Sequence, residues 1–109
     1  MAEILYSFRE SPEFTKRLSD YLSDDEYFEF QESLLENPTF GPVIPGGGGL
    51  RKVRWRVGGR GKRGGLRIIY YFADARGYIF LLTLYAKNEK SDLTRQQLKD
   101  FRDMVDEWL

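Results

Sequence analysis

The sequence predicts an α+β fold, in which two N-terminal helices pack on a twisted antiparallel sheet and a third helix forms the C-terminus. Three observations support this prediction. Apolar residues recur at helical spacing before Pro38, they alternate with polar residues after Leu50, and helical spacing returns after Thr94. With 109 residues, 41% of them hydrophobic, the chain is expected to form one domain over residues 1–109.

The two N-terminal helices are predicted from their start and stop signals. Ser11 and Pro12 suit the N-cap and the first turn of one helix. A second helix is expected to begin after Ser23 and to end at Asn37-Pro38. The apolar stripes are Phe14, Leu18, Tyr21 and Leu22 in the first helix and Tyr27, Phe30, Leu34 and Leu35 in the second.

Three strands are predicted after a loop rich in proline and glycine. Leu50–Val57 alternates between apolar and basic residues, and Leu66–Ala73 is rich in β-branched and aromatic residues. Tyr78–Tyr85 follows a turn at Asp74–Gly77. Ile4–Phe8 alternates enough to be an added strand.

A C-terminal helix is predicted from a capping box. Thr94 and Gln97 have the spacing at which each side chain bonds to the other's backbone N–H. The apolar stripe of this helix consists of Leu98, Phe101, Val105 and Trp108.

The composition excludes several kinds of site. The chain has no cysteine and no histidine, which rules out a disulfide framework, a thiolate zinc site and a histidine base. We expect neither a metal nor a cofactor. No apolar segment approaches the roughly 20 residues of a membrane helix, and the N-terminus does not resemble a secretory signal. A cytoplasmic protein without membrane association is therefore expected.

The net charge is zero, but the charge is unevenly distributed. Residues 50–67 include eight basic residues and no acidic one, whereas residues 3–36 include ten acidic residues. Lys52, Arg54 and Arg56 are expected on one face of their strand, where three cations without a nearby acid repel each other. A bound polyanion explains this arrangement better than solubility does. The eight basic residues are Arg51, Lys52, Arg54, Arg56, Arg60, Lys62, Arg63 and Arg67.

Residues 58–72 read GGRGKRGGLRIIYYF and include a G-x-G-x-x-G pattern at Gly59, Gly61 and Gly64. A dinucleotide fingerprint requires a helix after the glycines, because the helix N-terminus holds the pyrophosphate. Here a strand follows, and Gly61-Lys62 lacks the Ser or Thr of a P-loop. A glycine-rich hairpin connection with a basic tip is the better interpretation.

The strand aromatics are expected to be mostly core residues. Tyr85 is the better functional candidate, because it stands beside Lys87 and Asn88 at the end of a strand. Aromatic rings next to cations can stack on RNA bases.

Three motifs resemble a known family when taken in order. They are GGLRKVR at residues 48–54, GKRGGLRIIYYF at 61–72 and LLTLYAKNEKSDLT at 81–94. They resemble the HigB/RelE-type toxins of bacterial type II toxin–antitoxin modules, with the HigB branch closest, over about residues 14–101. The resemblance implies an endoribonuclease that cuts messenger RNA in the ribosomal A site. It also implies a cognate antitoxin, typically a helix-turn-helix protein of the HigA kind.

The resemblance also implies which residues act. Two basic strand positions at the active site of the RelE branch match Lys52 and Arg54, and a following arginine matches Arg67. A basic residue after the last strand matches Lys87, with Asn88 where that branch can have arginine. The RelE branch has a C-terminal tyrosine that stacks on the substrate base, whereas residues 91–94 here read Ser-Asp-Leu-Thr.

RNA cleavage by these residues needs no metal. The 2′-hydroxyl attacks the adjacent phosphorus while arginines bind the phosphoryl oxygens. Neighbouring cations favour loss of a lysine proton, so Lys52 beside Arg54 is a candidate base. The predicted catalytic residues are Lys52, Arg54, Arg67, Lys87 and Tyr85, and the predicted RNA- or ribosome-binding residues are Arg51, Arg56, Arg60, Lys62, Arg63, Asn88 and Lys90.

Two other functions stay open at this point. One is a ParE-like toxin of the same fold that poisons DNA gyrase by binding it. The other is a basic RNA-binding module without catalytic activity. The basic strand face favours the ribonuclease over the gyrase poison, and only an assay separates the ribonuclease from the binding module.

Overall fold

A computed structural model describes residues 6–56, 65–89 and 92–109. These residues form three α-helices and a mixed sheet of four strands, the α+β fold that the sequence predicts. A 3₁₀ turn at Asp74–Arg76 joins the last two strands. The elements are β1 (Ser7–Glu10), α1 (Pro12–Tyr21), α2 (Asp24–Glu36), β2 (Arg51–Trp55), β3 (Leu66–Ala73), β4 (Tyr78–Ala86) and α3 (Arg95–Trp108).

The strands lie in the order β1-β4-β3-β2. The pairs β2–β3 and β3–β4 are antiparallel as predicted. The added strand is present but begins later than predicted, at Ser7, and residues 1–5 lie outside the described residues. It runs parallel to β4, and the connection between these two strands, which contains α1, α2, β2 and β3, is long enough for the crossover that a parallel pair requires.

Side-chain caps fix the start of each helix. Ser11 accepts a hydrogen bond from the Phe14 amide at 2.9 Å. Ser23 and Glu26 form a reciprocal capping box. The box predicted from Thr94 and Gln97 is confirmed. Each cap satisfies amides that the first helical turn leaves without a partner, so these helix starts are set locally.

Apolar clusters cover both faces of the sheet. The face that we call the α1/α2 face packs Ile68 of β3 against Phe14 and Phe30. The α3 face packs the neighbouring residue Ile69 against Phe101 and Val105. Because successive strand residues point to opposite faces, β3 contributes to both clusters.

Helix α1 continues the coverage of β4 where β1 ends. Past that point the Ser11 amide donates to the Leu81 carbonyl at 2.9 Å, and the Ser11 hydroxyl donates to the Leu82 carbonyl at 2.6 Å. Farther along, Arg17 Nε donates to the Leu84 carbonyl at 2.9 Å. Ser11 and the Arg17 side chain thus donate to carbonyls that a neighbouring strand would otherwise satisfy.

The loop before β2 lies along the opposite edge of the sheet. The Lys52 amide donates to the Pro42 carbonyl at 3.1 Å, and the Ile44 amide donates to the Leu50 carbonyl at 2.8 Å. Val43 and Arg51 form an isolated bridge. The loop lacks regular structure, as its composition predicts, yet it is hydrogen-bonded to β2. Within the described ranges, no helix is both long and apolar enough to cross a membrane.

Ser11→Ala is expected to lower the free energy of unfolding by about 1–3 kcal/mol. The variant loses an N-cap, and it also leaves the Leu82 carbonyl without its buried donor. Urea denaturation followed by circular dichroism measures the change. The matched control is Ser33→Ala, which removes only a hydroxyl bonded to the Glu29 carbonyl within α2. Equal effects for the two variants would contradict the role given to Ser11.

Candidate nucleic-acid interface

Strands β2 and β3 place the predicted catalytic cations side by side. Arg54 and Arg67 are directly opposite each other in the β2–β3 ladder, and Arg67 is opposite Tyr85 in the β3–β4 ladder. Lys52 is opposite Ile69, whose side chain belongs to the α3 face. Residues directly opposite share a face, so Lys52, Arg54, Arg67 and Tyr85 all lie on the α3 face. We call Lys52, Arg54 and Arg67 the cationic cluster.

Arg67 is the most enclosed member of the cationic cluster. It lies on β3, which has a hydrogen-bonded strand on each side, and it is only 5% exposed. Burying a guanidinium is costly unless charged or polar groups surround it. Arg54 is exposed and Lys52 is half-buried, so the cluster leads from the surface into the sheet.

Asp92 supplies an anion to the cationic cluster. Lys52 Nζ donates to Asp92 Oδ1 at 2.8 Å, and the Asp92 side chain is 74% exposed. The hydrogen bond and the charge of Lys52 lower the pKa of the Asp92 carboxyl, and Arg54 and Arg67 lower it further. The carboxylate therefore sits where the positive potential of three side chains converges.

The Tyr85 side chain lines the site from within the sheet, and its ring is not exposed on the surface. It is buried in the cluster on the α3 face, so its ring face is not available to stack on a base. Burial raises the pKa of its hydroxyl; the charge of Asp92 adds to this, and Arg67 opposes it. This burial argues against Tyr85 as a stacking residue, and its assignment to catalysis stays a prediction. The structure adds that Tyr85 lies directly opposite Arg67, a neighbour that the sequence analysis did not assign to it.

A partly open cavity of about 420 Å³ adjoins the cationic cluster. Its volume lies in the range of small-ligand sites, roughly 300–1,000 Å³. Loop residues 42–45 form one wall, and Leu93 and Leu98 form another. Lys52 and Asp92 line the same cavity, so its walls combine apolar side chains with a pair of opposite charges.

The turn after β4 carries the next two predicted residues. Lys87 and Asn88 are exposed, and the Lys87 amide donates to the Gly65 carbonyl at 3.5 Å, close to the start of β3. Glu89 anchors the turn, because it accepts a hydrogen bond from the Ala86 amide and another from the Tyr21 hydroxyl. Lys87 and Asn88 thus lie directly after β4, on a turn that these hydrogen bonds hold in place.

The remaining predicted binding residues separate into three cases. Arg51 is opposite Tyr70, which belongs to the α1/α2 face, and it donates to the Gly41 carbonyl at 2.8 Å. The structure therefore places Arg51 away from the cationic cluster, because neighbouring strand residues face opposite ways. Arg56 is exposed just beyond β2. Arg60, Lys62, Arg63 and Lys90 lie outside the described residues.

This geometry defines a class of protein: a small α+β fold in which cations converge on one face of the sheet. Comparison with protein families identifies the class more closely: the family model described as RelE toxin of the RelE/RelB toxin–antitoxin system matches residues 45–109, more than half of the chain. The chain belongs to the RelE toxin family. It is thus a toxin of a toxin–antitoxin system, and toxins of this family pair with antitoxins.

Proposed function

We propose that the protein is a ribosome-dependent endoribonuclease of the HigB branch, which cleaves translated messenger RNA in the ribosomal A site. The observation that carries this proposal is the convergence of Lys52, Arg54 and Arg67 on one carboxylate, Asp92. An anion at such a point occupies a position suited to a phosphate. The family membership supports the proposal, because toxins of this family are generally endoribonucleases. Action on translating ribosomes implies a cytoplasmic location.

The cationic cluster provides the groups that bind the phosphate and stabilise the charge that grows on it. The 2′-oxygen forms a bond to phosphorus as the bond from phosphorus to the 5′-oxygen breaks, which leaves a cyclic phosphate and a 5′-hydroxyl. Negative charge grows on the phosphoryl oxygens, where the Arg54 and Arg67 guanidinium groups can each donate two hydrogen bonds. Because Arg67 is buried on β3, an inner strand of the sheet, it is held in place before RNA binds.

Lys52 is better suited to binding phosphate than to acting as the base. It donates to the Asp92 carboxylate, as an ammonium does. In our proposal an RNA phosphate displaces the exposed Asp92 and takes over this hydrogen bond. Lys87, on the fastened turn near the start of β3, stays a candidate for transferring the protons of the reaction.

We further propose that a helix-turn-helix antitoxin of the HigA kind inhibits the toxin. It can either cover the cationic cluster or bind the acidic start of α2, at Asp24, Asp25 and Glu26, and block entry to the ribosome. Hydrogen exchange of the complex separates these two routes. Protection of neither surface would contradict both.

Mapping messenger RNA ends with and without translation tests the main proposal. We expect new 5′ ends within translated codons when ribosomes are active, and none on the same RNA free in solution. Equal cleavage of free RNA would contradict the ribosome dependence. Gyrase inhibition without RNA cleavage would favour the ParE-like alternative, and RNA binding without either activity would favour the binding module.

Asp92→Asn is expected to strengthen binding of single-stranded RNA about fivefold at low salt. The substitution removes one negative charge beside the cationic cluster, and a unit charge about 4 Å away contributes on the order of 1 kcal/mol even in water. Fluorescence anisotropy with a labelled oligonucleotide measures the affinity. The matched control is Asp103→Asn, which breaks an ion pair of the same 2.8 Å length with Lys99 on α3. Unchanged or weaker binding by the Asp92 variant would contradict the phosphate-like position of Asp92.

A further inference from the structure

Phe40 is one of two strongly exposed phenylalanines among the described residues. Its side chain is 48% exposed, and that of Phe28 on α2 is 60% exposed. Single exposed apolar residues are common, so exposure alone indicates nothing. The two rings differ in their surroundings, and those surroundings distinguish Phe40.

A second groove, of about 290 Å³, places Phe40 beside the cationic cluster. Phe40, Pro42 and Val53 supply its apolar lining, and Lys52 and Arg54 supply its charge. An aromatic face next to lysine and arginine is what single-stranded nucleic acid requires: the cations bind the backbone and the ring stacks on a base. The groove therefore has the chemistry of a site for one unpaired nucleotide.

The backbone around Phe40 is fastened on both sides. The Tyr70 hydroxyl donates to the Pro38 carbonyl at 2.8 Å and accepts from the Gly41 amide at 2.9 Å. Arg51 donates to the Gly41 carbonyl at 2.8 Å. Tyr70 is itself fully buried in β3. The backbone that carries the Phe40 ring is thus held in place before a ligand binds. Less conformational entropy is therefore lost on binding.

Close packing of the loop on β2 reinforces this arrangement. A Cβ atom added at Gly41 would lie 2.9 Å from the Lys52 carbonyl oxygen, closer than real Cβ atoms come. The residue after Phe40 must therefore be glycine for the loop to approach the strand that carries Lys52 and Arg54. This contact fixes the distance between the ring and the cations.

We propose that Phe40 is the base-stacking residue of this site and that its ligand is an unpaired nucleobase of single-stranded RNA. The choice of RNA as ligand rests on the proposed function. Tyr85 is buried, and the segment containing Asp92 has no aromatic residue, so neither offers an exposed ring to a base. Lys52 lines both grooves, so a phosphate bound there would have Phe40 on one side and the larger cavity on the other. Since every base has an aromatic face, this contact strengthens binding without selecting a sequence.

Binding of a six-nucleotide single-stranded RNA, with every 2′-hydroxyl methylated to prevent cleavage, tests the proposal. We expect Phe40→Ala to weaken binding about tenfold, within the range measured for loss of one base stack. Phe40→Tyr should bind as the wild type does, because it keeps the ring. The dependence of affinity on salt should be unchanged in Phe40→Ala and shallower in Lys52→Ala, since only the lysine contacts phosphate.

Phe28→Ala is the matched control, since it removes another exposed ring and should leave RNA affinity unchanged. Wild-type affinity in Phe40→Ala, a similar loss in Phe28→Ala, or no binding by the wild type would each overturn the proposal. Cleavage of ribosome-bound messenger RNA is measured separately. If the wild type binds RNA through Phe40 but cleaves none, the ribonuclease proposal fails and the stacking role stands. If the wild type cleaves and Phe40→Ala binds normally, the reverse holds.

Discussion

Arg67→Ala is expected to slow cleavage of ribosome-bound messenger RNA by about 100-fold or more, the scale for losing one group that stabilises developing charge. Arg67 is expected to be the most sensitive position because it lies on an inner strand, buried between Arg54 and Tyr85 in the ladder. A single-turnover assay on saturated ribosome complexes isolates the chemical step from binding. Arg67→Lys should also be slow, because an ammonium lacks the planar fork that binds two phosphate oxygens.

Two controls distinguish a loss of catalysis from a loss of folding or a general effect of removing an arginine. Removing a buried arginine can disturb folding, so circular dichroism and denaturation must show that the variants are folded. Arg76→Ala removes an exposed arginine from the 3₁₀ turn and should cleave at the wild-type rate. A folded Arg67→Ala protein with wild-type cleavage would remove Arg67 from the site and leave Lys87 as the next candidate.

Phe30→Ala is expected to destabilise the protein by about 3–5 kcal/mol, the usual cost of truncating a buried phenylalanine. Phe30 is fully buried on the α1/α2 face, where its ring packs edge-on against Trp55 at 5.2 Å between centroids. Trp55 lies at the end of β2, the strand of Lys52 and Arg54, so the loss should also loosen this strand. Urea denaturation followed by tryptophan fluorescence measures both effects.

Phe28→Ala provides the comparison within the same helix. Phe28 is exposed, so its removal should change the free energy of unfolding by no more than about 0.5 kcal/mol. If the two substitutions on α2 cost the same, the packing of this helix on the sheet differs from that described. The pair therefore tests the position of the helix as well as the size of the effect.

Local signals explain which parts of the fold could be predicted from sequence. The helix starts at Ser11 and Thr94 depend on contacts within four residues, and the bounds of β3 follow from a run of apolar and aromatic residues that only Arg67 interrupts. The parallel pairing of β1 with β4 joins Ser7 to Tyr78. A local sequence pattern does not specify a pairing partner so distant in the chain. The alternation of apolar and polar residues could therefore not predict this parallel pair.

The same distinction applies to the candidate site. Lys52, Arg54 and Arg67 could be placed on one surface because alternation and the family resemblance agree on them. Asp92 was not predicted, because its contact with Lys52 spans 40 positions and a single acidic residue before a helix has no distinctive pattern. Phe40 lies in a loop without periodicity, so no pattern in the sequence distinguishes it as a site residue. Tyr85 is buried and so is unsuited to stacking on a base, but its burial could not be predicted from the sequence.

The way in which the edges of the sheet are covered affects whether the folded toxin aggregates before an antitoxin binds it. Exposed edge strands favour pairing between molecules and fibre growth. Here the loop at Pro42 is hydrogen-bonded to the outer edge of β2. The part of β4 that extends past its pairing with Glu10 of β1 is covered by Ser11 and α1. The remaining outer strand, β1, is only four residues long. Newly made chains should therefore stay dispersed at concentrations where a bare sheet would polymerise, so that the antitoxin meets monomers and not aggregates.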